Sequence, residues 1–298
     1  MEVTEHDIDQ WRASCSNWGR WGQKDRLGTL NLIDEAARRQ AVATVTEGLA
    51  ISCSRPIPKA TEHAGATTTV HLMVRTLSRH AASDYLGLAP HGFEVTHLDA
   101  LCHFSSGGSL YNGFPFDSAG ITPGSELGVD IARDGILTRG VLVDLPRALG
   151  RAELEAGAAL GPEDVLRALE TSGATVRRGD ALLVRTGRWS RHGTGSRVPE
   201  TQLAGLHPRC LPWLHEQDVS VLGCDGITDV LPPVVPSVRL PIHEIALARM
   251  GLQLLDNLDL DAVGDTCARL RRWEFLFVVA PLVIASGTAS PVNPIALF

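Results

Sequence analysis

The chain has 298 residues, of which 44% are hydrophobic and 20% are charged, and its net charge is −7. This amount of apolar sequence is enough for a sizeable core, so neither disulfides nor a metal ion is needed for folding alone. The negative charge, without any basic stripe, argues against nucleic acid and anionic membranes as partners.

The N-terminus and the cysteines both favour a cytoplasmic protein. Residues 1–10 are polar and acidic, unlike a signal peptide, and no apolar run approaches the roughly 20 residues of a membrane span. The six cysteines are scattered and include no CxxC pair, which is typical of reduced and mostly buried thiols.

Helical and strand patterns alternate in the second half of the chain, whereas strand patterns dominate the first half. Capping residues and apolar periodicity predict helices over residues 34–46, 161–169, 206–216 and 242–255. Short β-branched runs predict strands over residues 49–53, 67–74, 140–145, 181–186, 219–224 and 275–283. The apolar run 280–285 is interpreted as a buried strand too. Together these patterns predict a mixed α/β fold with a buried sheet.

The polar residues that best indicate chemistry lie between His91 and His103. In an extended segment His97 and Asp99 share one face, with Cα atoms about 6–7 Å apart. An imidazole and a carboxylate at this spacing can bind one cation, and they suit zinc, manganese or iron better than calcium. If the chain turns after Asp99, His103 lies over the site and is placed for proton transfer.

A second polar group lies far away in the sequence, at the two ends of the predicted helix 242–255. On a continuous helix His243 and Asp256 would be about 20 Å apart. They can share a metal only if the helix stops and the chain bends back before Asp256. By themselves, they are typical of a polar residue at a helix N-terminus and a loop residue, and Glu244 is typical of a first-turn acid.

These motifs resemble the metal-dependent cyclase family, which includes bacterial kynurenine formamidases, isatin hydrolases and cyclases of antibiotic pathways. The family motif HxGTHxDxxxH is similar to Thr96-His97-Leu98-Asp99 followed by His103. A later helical histidine and an ENL-like segment look like His243 and residues 256–258. The resemblance extends over nearly the whole chain, through residues 18–22, 27–31, 111–113, 223–225 and 287–291.

The resemblance implies a single domain over residues 1–298 with a swivelling β/β/α fold and an N-terminal extension of about residues 1–45. It also implies assembly as a homodimer or homotetramer. By position, it makes His97 and Asp99 metal ligands and His103 the catalytic acid/base. It adds His243 and Asp256 to the ligands.

Two positions depart from the family pattern. Phe93 stands where the family has its first histidine, so His91 can replace that ligand only if the loop has a different shape. Asp256 stands where the family usually has the longer glutamate. Either change could convert a two-metal site into a one-metal site.

The function implied by the resemblance is hydrolysis of a C–N amide bond, in a formamide or a lactam. Metal-activated water would attack, with Zn²⁺ or Mn²⁺ as cofactor and His103 as acid/base. Four aromatic residues are candidates for the wall of the small-molecule pocket, although each alone is more often a core residue. They are Trp18, Trp21, Phe93 and Tyr111.

Two other functions remain open at this stage. A polyketide-type cyclase would use the same metal to close a ring, and a non-catalytic member would only bind a metal or ligand. The presence of His103 argues against the second, because binding alone does not require it.

Overall fold

The computed structural model describes residues 3–57, 69–74, 80–116, 126–190 and 199–298. The α-helices in these ranges are α1 (Glu5–Ser14), α2 (Glu35–Val42), α3 (Leu145–Ala148), α4 (Pro162–Ser172), α5 (Cys210–Glu216), α6 (Pro241–Ile245) and α7 (Asp261–Leu270). The strands are β1 (Ala50–Ser52), β2 (Val70–Val74), β3 (Ser83–Gly87), β4 (His97–Asp99), β5 (Ile136–Asp144), β6 (Ala159–Leu160), β7 (Ala181–Arg185), β8 (Gly205–Leu206), β9 (Val221–Cys224), β10 (Gln253–Asp256), β11 (Glu274–Val279), β12 (Ala289–Pro291) and β13 (Ile295–Leu297).

A nine-stranded sheet forms the centre of the molecule, in the order β1-β13-β11-β5-β7-β9-β10-β4-β12. The four central strands β5, β7, β9 and β10 are parallel, and the strands on both sides pair antiparallel. The prediction of a mixed α/β fold is therefore confirmed.

The central strands are nearly continuous apolar runs because they are buried on both faces. Helices α2 and α4 pack against β5, and α3 packs against β7. In parallel strands the carboxyl ends lie at one edge, and in open α/β sheets that edge is where ligands usually bind. The segments that follow β7, β9 and β10 are therefore the first place to look for a site.

The prediction of one helix over residues 242–255 is wrong. Helix α6 continues only as a single π-helical turn, Ala246–Met250, and β10 follows. Gly251 ends the turn with φ +67°, and a Cβ there would lie 2.6 Å from the Tyr111 ring. The apolar residues after Gly251 belong to a buried strand, which apolar periodicity over so short a run does not distinguish from a helix.

The interpretation of residues 280–285 as a buried strand is also wrong. Strand β11 ends at Val279, which pairs with Ile136, the first residue of β5. Pro281 has no N–H to extend the ladder. The next three side chains are 55%, 59% and 41% exposed, at Leu282, Val283 and Ile284.

Most other predicted elements are found with small shifts at their ends. The predicted helix 206–216 begins later, at Cys210, because Gly205–Leu206 pairs as β8. The predicted strand 67–74 is found from Val70, and residues 67–68 lie outside the described ranges. All six cysteines are free and buried, as expected. None of the helices described is long and apolar enough to cross a membrane.

We predict that Gly251→Ala lowers the free energy of unfolding by about 2–5 kcal/mol, because the new methyl group adds steric overlap to left-handed strain. The control is Gly173→Ala. Gly173 also has a left-handed φ, +71°, but open space around its Cβ position. That variant should lose only about 1–2 kcal/mol. Urea unfolding measures both, and equal losses would contradict the close contact at Gly251.

Candidate metal centre

Two neighbouring strands place three potential ligands on one face of the sheet. In β4, His97 and Asp99 alternate with Leu98 and so point to the same side. Strand β10 pairs antiparallel with β4, and Asp256 lies directly opposite His97. The strand register therefore groups His97, Asp99 and Asp256, although Asp256 is far away in the sequence.

Helix α6 supplies the fourth group, His243. Its Nε2 lies 3.2 Å from Asp256 Oδ2 and 3.6 Å from Asp99 Oδ2. The chain reverses direction at Gly251 between the helix and β10, which is the bend that a shared site requires. The structure thus brings His243 and Asp256 together despite the incorrect helix prediction.

His91 supplies the fifth group from the loop before β4. Its Nδ1 lies 3.1 Å from Asp99 Oδ1, and His97 Nε2 lies 3.3 Å from the same oxygen. The side chain of His91 is 29% exposed, whereas those of His97 and Asp99 are buried. All five predicted ligands therefore meet, as two overlapping triads that share Asp99: His91, His97 and Asp99, and Asp99, His243 and Asp256.

Each of the three imidazoles has one nitrogen held by an oxygen, which leaves the other nitrogen facing the cluster. His97 Nδ1 is 2.8 Å from the Val95 carbonyl, so the ring donates there. His243 Nδ1 donates to Asp229 at 2.7 Å. His91 Nε2 lies 3.0 Å from the Thr288 hydroxyl. Such outer contacts fix the ring orientation and the tautomer in metal-binding histidines.

The buried carboxylate of Asp99 provides the test of whether a cation fits. Both of its oxygens are buried and accept no hydrogen bond from the described residues, and His91 Nδ1 likewise makes no hydrogen bond. In a tetrahedral zinc site with bonds of 2.0–2.1 Å, ligand atoms lie about 3.3 Å apart. The contacts around Asp99, 3.1–3.6 Å, have this spacing. A divalent cation therefore fits these residues.

The charges in the cluster interact strongly. Burial would lower the pKa of His97, but the Asp99 carboxylate outweighs it and raises that pKa to about 9. Burial also acts to lower the pKa of His243, but the Asp256 and Asp229 carboxylates outweigh it and raise that pKa. For Asp99 burial acts to raise the pKa, but the facing imidazoles hold it well below its usual value. A metal ion would balance the charge of the same carboxylates that protonated imidazoles balance in its absence. Metal binding would therefore release protons from the histidines.

His103 lies beside the cluster without belonging to either triad. Its ring stacks on His91, with centroids 3.7 Å apart and planes 13° from parallel. Burial lowers the pKa of His103 to about 4, so the imidazole is neutral at neutral pH. A neutral imidazole can accept a proton and return it, which is the role expected from the sequence.

A cavity of about 110 Å³ opens over these groups. Besides the five ligand candidates and His103, it is lined by Gly92, Phe93, Phe104, Ile227 and Leu240. The walls are therefore apolar on the side away from the cluster. Phe93, placed in the aromatic wall by the sequence, does line the cavity.

The other three predicted wall residues do not line this cavity. Tyr111 is fully buried and its hydroxyl donates to Asp25. Trp18 donates its indole N–H to the Ala248 carbonyl, and Trp21 lies against the Arg20 guanidinium. Their contacts lie around the N-terminal segment instead, and a role for these three residues in substrate binding stays a prediction.

Sequence reasoning missed the residues that orient the ligands. Asp229 accepts hydrogen bonds from the backbone of Ile242 and His243 as well as from the His243 ring. No local pattern identifies it, because Asp229 and His243 meet only when the loop after β9 folds over α6. Phe104, in contrast, follows His103 directly and could have been considered as a wall residue.

A comparison with family models places the chain in a known family. The model described as "Cyclase: Putative cyclase" matches residues 44–228, more than half of the chain. The chain belongs to this cyclase family. A comparison with curated proteins found no match.

Solved structures give the same fold. A structure described as a novel cyclase has a TM-score of 0.84 and 29% identity, covering 95% of this chain and 99% of its own. Isatin hydrolase A from Labrenzia aggregata, bound to benzyl benzoate, has a TM-score of 0.60 and 18% identity, with 87% and 97% covered. A potential metal-dependent hydrolase with cyclase activity has a TM-score of 0.52 and 13% identity, with 83% and 98% covered. The predicted cyclase-family fold is confirmed.

We predict that Asp229→Asn lowers zinc affinity about 10–100-fold, because the His243 ring loses its charged acceptor. The control is Asp180→Asn. Asp180 is also a buried aspartate, but it pairs with Arg139 just before β7 begins, at the opposite edge of the sheet. Competition with a chromogenic chelator measures both affinities. An equal loss in the two variants would show that Asp229 acts on the fold rather than on the site.

Proposed function

We propose that this cyclase-family member is a metal-dependent hydrolase of a C–N amide bond. The observation that carries the proposal is the buried Asp99 carboxylate, which accepts no hydrogen bond among the described residues and is faced by three imidazoles. A cluster of this composition suits Zn²⁺ or Mn²⁺. The two triads fit one ion or two ions that share Asp99, and metal stoichiometry distinguishes these arrangements.

The residues that would hold the ion are His91, His97, Asp99, His243 and Asp256. A divalent cation there would lower the pKa of water from 15.7 toward about 7 and polarise a substrate carbonyl. Around it, Asp229 and Thr288 orient their imidazoles, so the ligand nitrogens need little reorganisation.

His103 is the residue we assign to proton transfer. It lines the same cavity as the candidate ligands, and its lowered pKa leaves the ring neutral, which is the form that can accept a proton. Once His103 has taken up a proton, its imidazolium can donate that proton to the departing amide nitrogen. Stacking on His91 restricts where the ring can move.

The cavity walls favour a substrate with a flat, apolar body. Phe93, Ile227 and Leu240 form one apolar wall, which packs against the buried Leu203 and Leu231. An aryl formamide or a cyclic amide would place its ring against this wall and its carbonyl at the cluster. The fold relationship to an isatin hydrolase supports a cyclic amide among the first compounds to test.

A cyclase that closes a polyketide-type ring is the second candidate. The family description and the neighbour with cyclase activity favour it. Both reactions need a polarised carbonyl and a base, so they differ in the product. Hydrolysis adds one water to the substrate, whereas ring closure adds none. A non-catalytic role fits less well, because His103 lines the cavity without joining a ligand triad.

Self-association as a homodimer or homotetramer stays a prediction, as does the cytoplasmic location. The hairpin of β2 and β3 supports self-association, because it exposes apolar side chains and a two-stranded hairpin alone is marginally stable. Its most exposed apolar residues are Leu72, Met73, Tyr85 and Leu86. The absence of nucleic-acid and membrane partners also stays a prediction.

We predict that His103→Ala retains bound metal but lowers turnover about 10²–10⁴-fold on the best substrate among N-formyl anilines, isatins and small lactams. In contrast, His97→Ala and Asp99→Ala should each lose most of the metal. Elemental analysis gives the metal content. Mass spectrometry detects the ring-opened product with one added water from an isatin or a lactam, and the free aniline and formate from an N-formyl aniline. Near-normal turnover of His103→Ala would remove its catalytic role, and wild-type metal content in the other two would remove the site.

A further inference from the structure

The loop of residues 92–95 connects two candidate ligands, His91 and His97, and contains the wall residue Phe93. It has no regular secondary structure. Three of its carbonyl groups, at Gly92, Phe93 and Val95, need hydrogen-bond donors because the loop forms no helix or sheet ladder. The donors are two side chains outside the loop, Arg188 and Asn257, and at Val95 also the His97 ring.

Arg188 and Asn257 hold these carbonyls and each other. Asn257 Nδ2 donates to the Gly92 carbonyl at 2.8 Å and to the Val95 carbonyl at 3.1 Å. Arg188 donates from one nitrogen to the Phe93 carbonyl at 2.7 Å and from another to Asn257 Oδ1 at 2.7 Å. Together, the side chains of Arg188 and Asn257 form a clamp on the loop.

The clamp is itself rigidly mounted at the carboxyl ends of the central strands. Asn257 follows Asp256 directly, with a left-handed φ of +56°. Arg188 lies after β7, in a turn whose backbone amides at Thr186 and Gly187 donate to the buried Asp225 carboxylate. Its guanidinium also lies 4.2 Å from the centre of the Trp189 ring. The groups that hold loop 92–95 are thus fixed by the sheet.

We propose that Arg188 and Asn257 are positioning residues that shape loop 92–95 so that His91 reaches Asp99, a role that rests on the proposed metal function. Neither side chain touches the cluster through a hydrogen bond to His91 or Asp99. They act through the loop backbone, which places His91 at one end and directs Phe93 into the cavity wall. This explains how a histidine at an irregular position in the motif joins the cluster.

The test is a double-mutant cycle on zinc affinity with Arg188→Met and His91→Ala. Methionine keeps much of the length of arginine and removes all its donors. Arg188→Met should weaken zinc binding about 10-fold in the native background. It should change binding less than about 2-fold when His91 is already alanine, because the candidate ligand that Arg188 positions is then absent. An undiminished loss in the His91→Ala background would overturn the proposal.

Two further variants separate positioning from general stability. In Asn257→Gly, glycine tolerates the left-handed backbone, and the side-chain amide that holds the loop is lost. This variant should therefore weaken zinc binding to a similar degree. Arg55→Met is the matched control. The Arg55 guanidinium lies over the same Trp189 ring at 4.0 Å, but its side chain pairs with Asp259 rather than with the loop. It should leave zinc affinity within about 2-fold of the native value. A loss equal to that of Arg188→Met would overturn the proposal.

Crystal structures of the metal-free native protein and Arg188→Met provide the second readout. In the Arg188→Met structure, we expect His91 Nδ1 to lie farther from Asp99 than in the native protein. We also expect Phe93 to leave the cavity wall. An unchanged loop would overturn the proposal. Neither measurement uses a substrate. Normal zinc binding without hydrolysis of any substrate would therefore count against the proposed function alone.

Discussion

The buried Asp99 carboxylate is the group on which the arrangement of this site depends. A carboxylate removed from water is costly unless cations or donors surround it. Here the nearest groups are imidazole nitrogens at 3.1–3.6 Å, without the geometry of hydrogen bonds. Three different parts of the chain must supply these nitrogens. The loop before β4, the strand β4 itself and the helix α6 all converge on this one side chain.

The parallel centre of the sheet makes this convergence possible. The carboxyl ends of β7, β9 and β10, with the segments that follow them, place Arg188, Asp229 and Asp256 at one edge. Each has a different task there, since Arg188 holds a loop, Asp229 orients His243, and Asp256 faces the cluster. Hydrogen bonds from rigid strand ends give ligands little freedom, which is what a preorganised metal site requires.

Local sequence patterns were sufficient for some of these features. The alternation of His97 and Asp99 defines a shared face in any extended segment, and the apolar central strands indicate a buried sheet. Residues 242–255 show the limit of periodicity. Their apolar spacing fits a helix, yet Gly251 must adopt a left-handed conformation against Tyr111 and Gly28. That contact is made by segments more than a hundred residues away, so no local window contains it.

The hydrogen bonds that orient the candidate ligands could not be predicted from the sequence for the same reason. Nothing in the local sequence distinguishes Asp229 and Arg188 from other polar residues, because they approach the site only when β7, β9 and β10 are aligned in the sheet. His91 has an irregular spacing in the motif, and only the loop shape reveals that it faces Asp99. The family resemblance pointed to the candidate ligands, whereas the fold shows which residues position them.

The most direct test is to locate the metal in crystals of the purified protein by anomalous scattering at the zinc and manganese absorption edges. We expect a peak beside Asp99, about 2.0–2.2 Å from its carboxylate and from the facing imidazole nitrogens. A peak elsewhere, or a metal-free Asp99 that is hydrogen-bonded to protonated histidines in a fully active enzyme, would contradict a metal centre at this position.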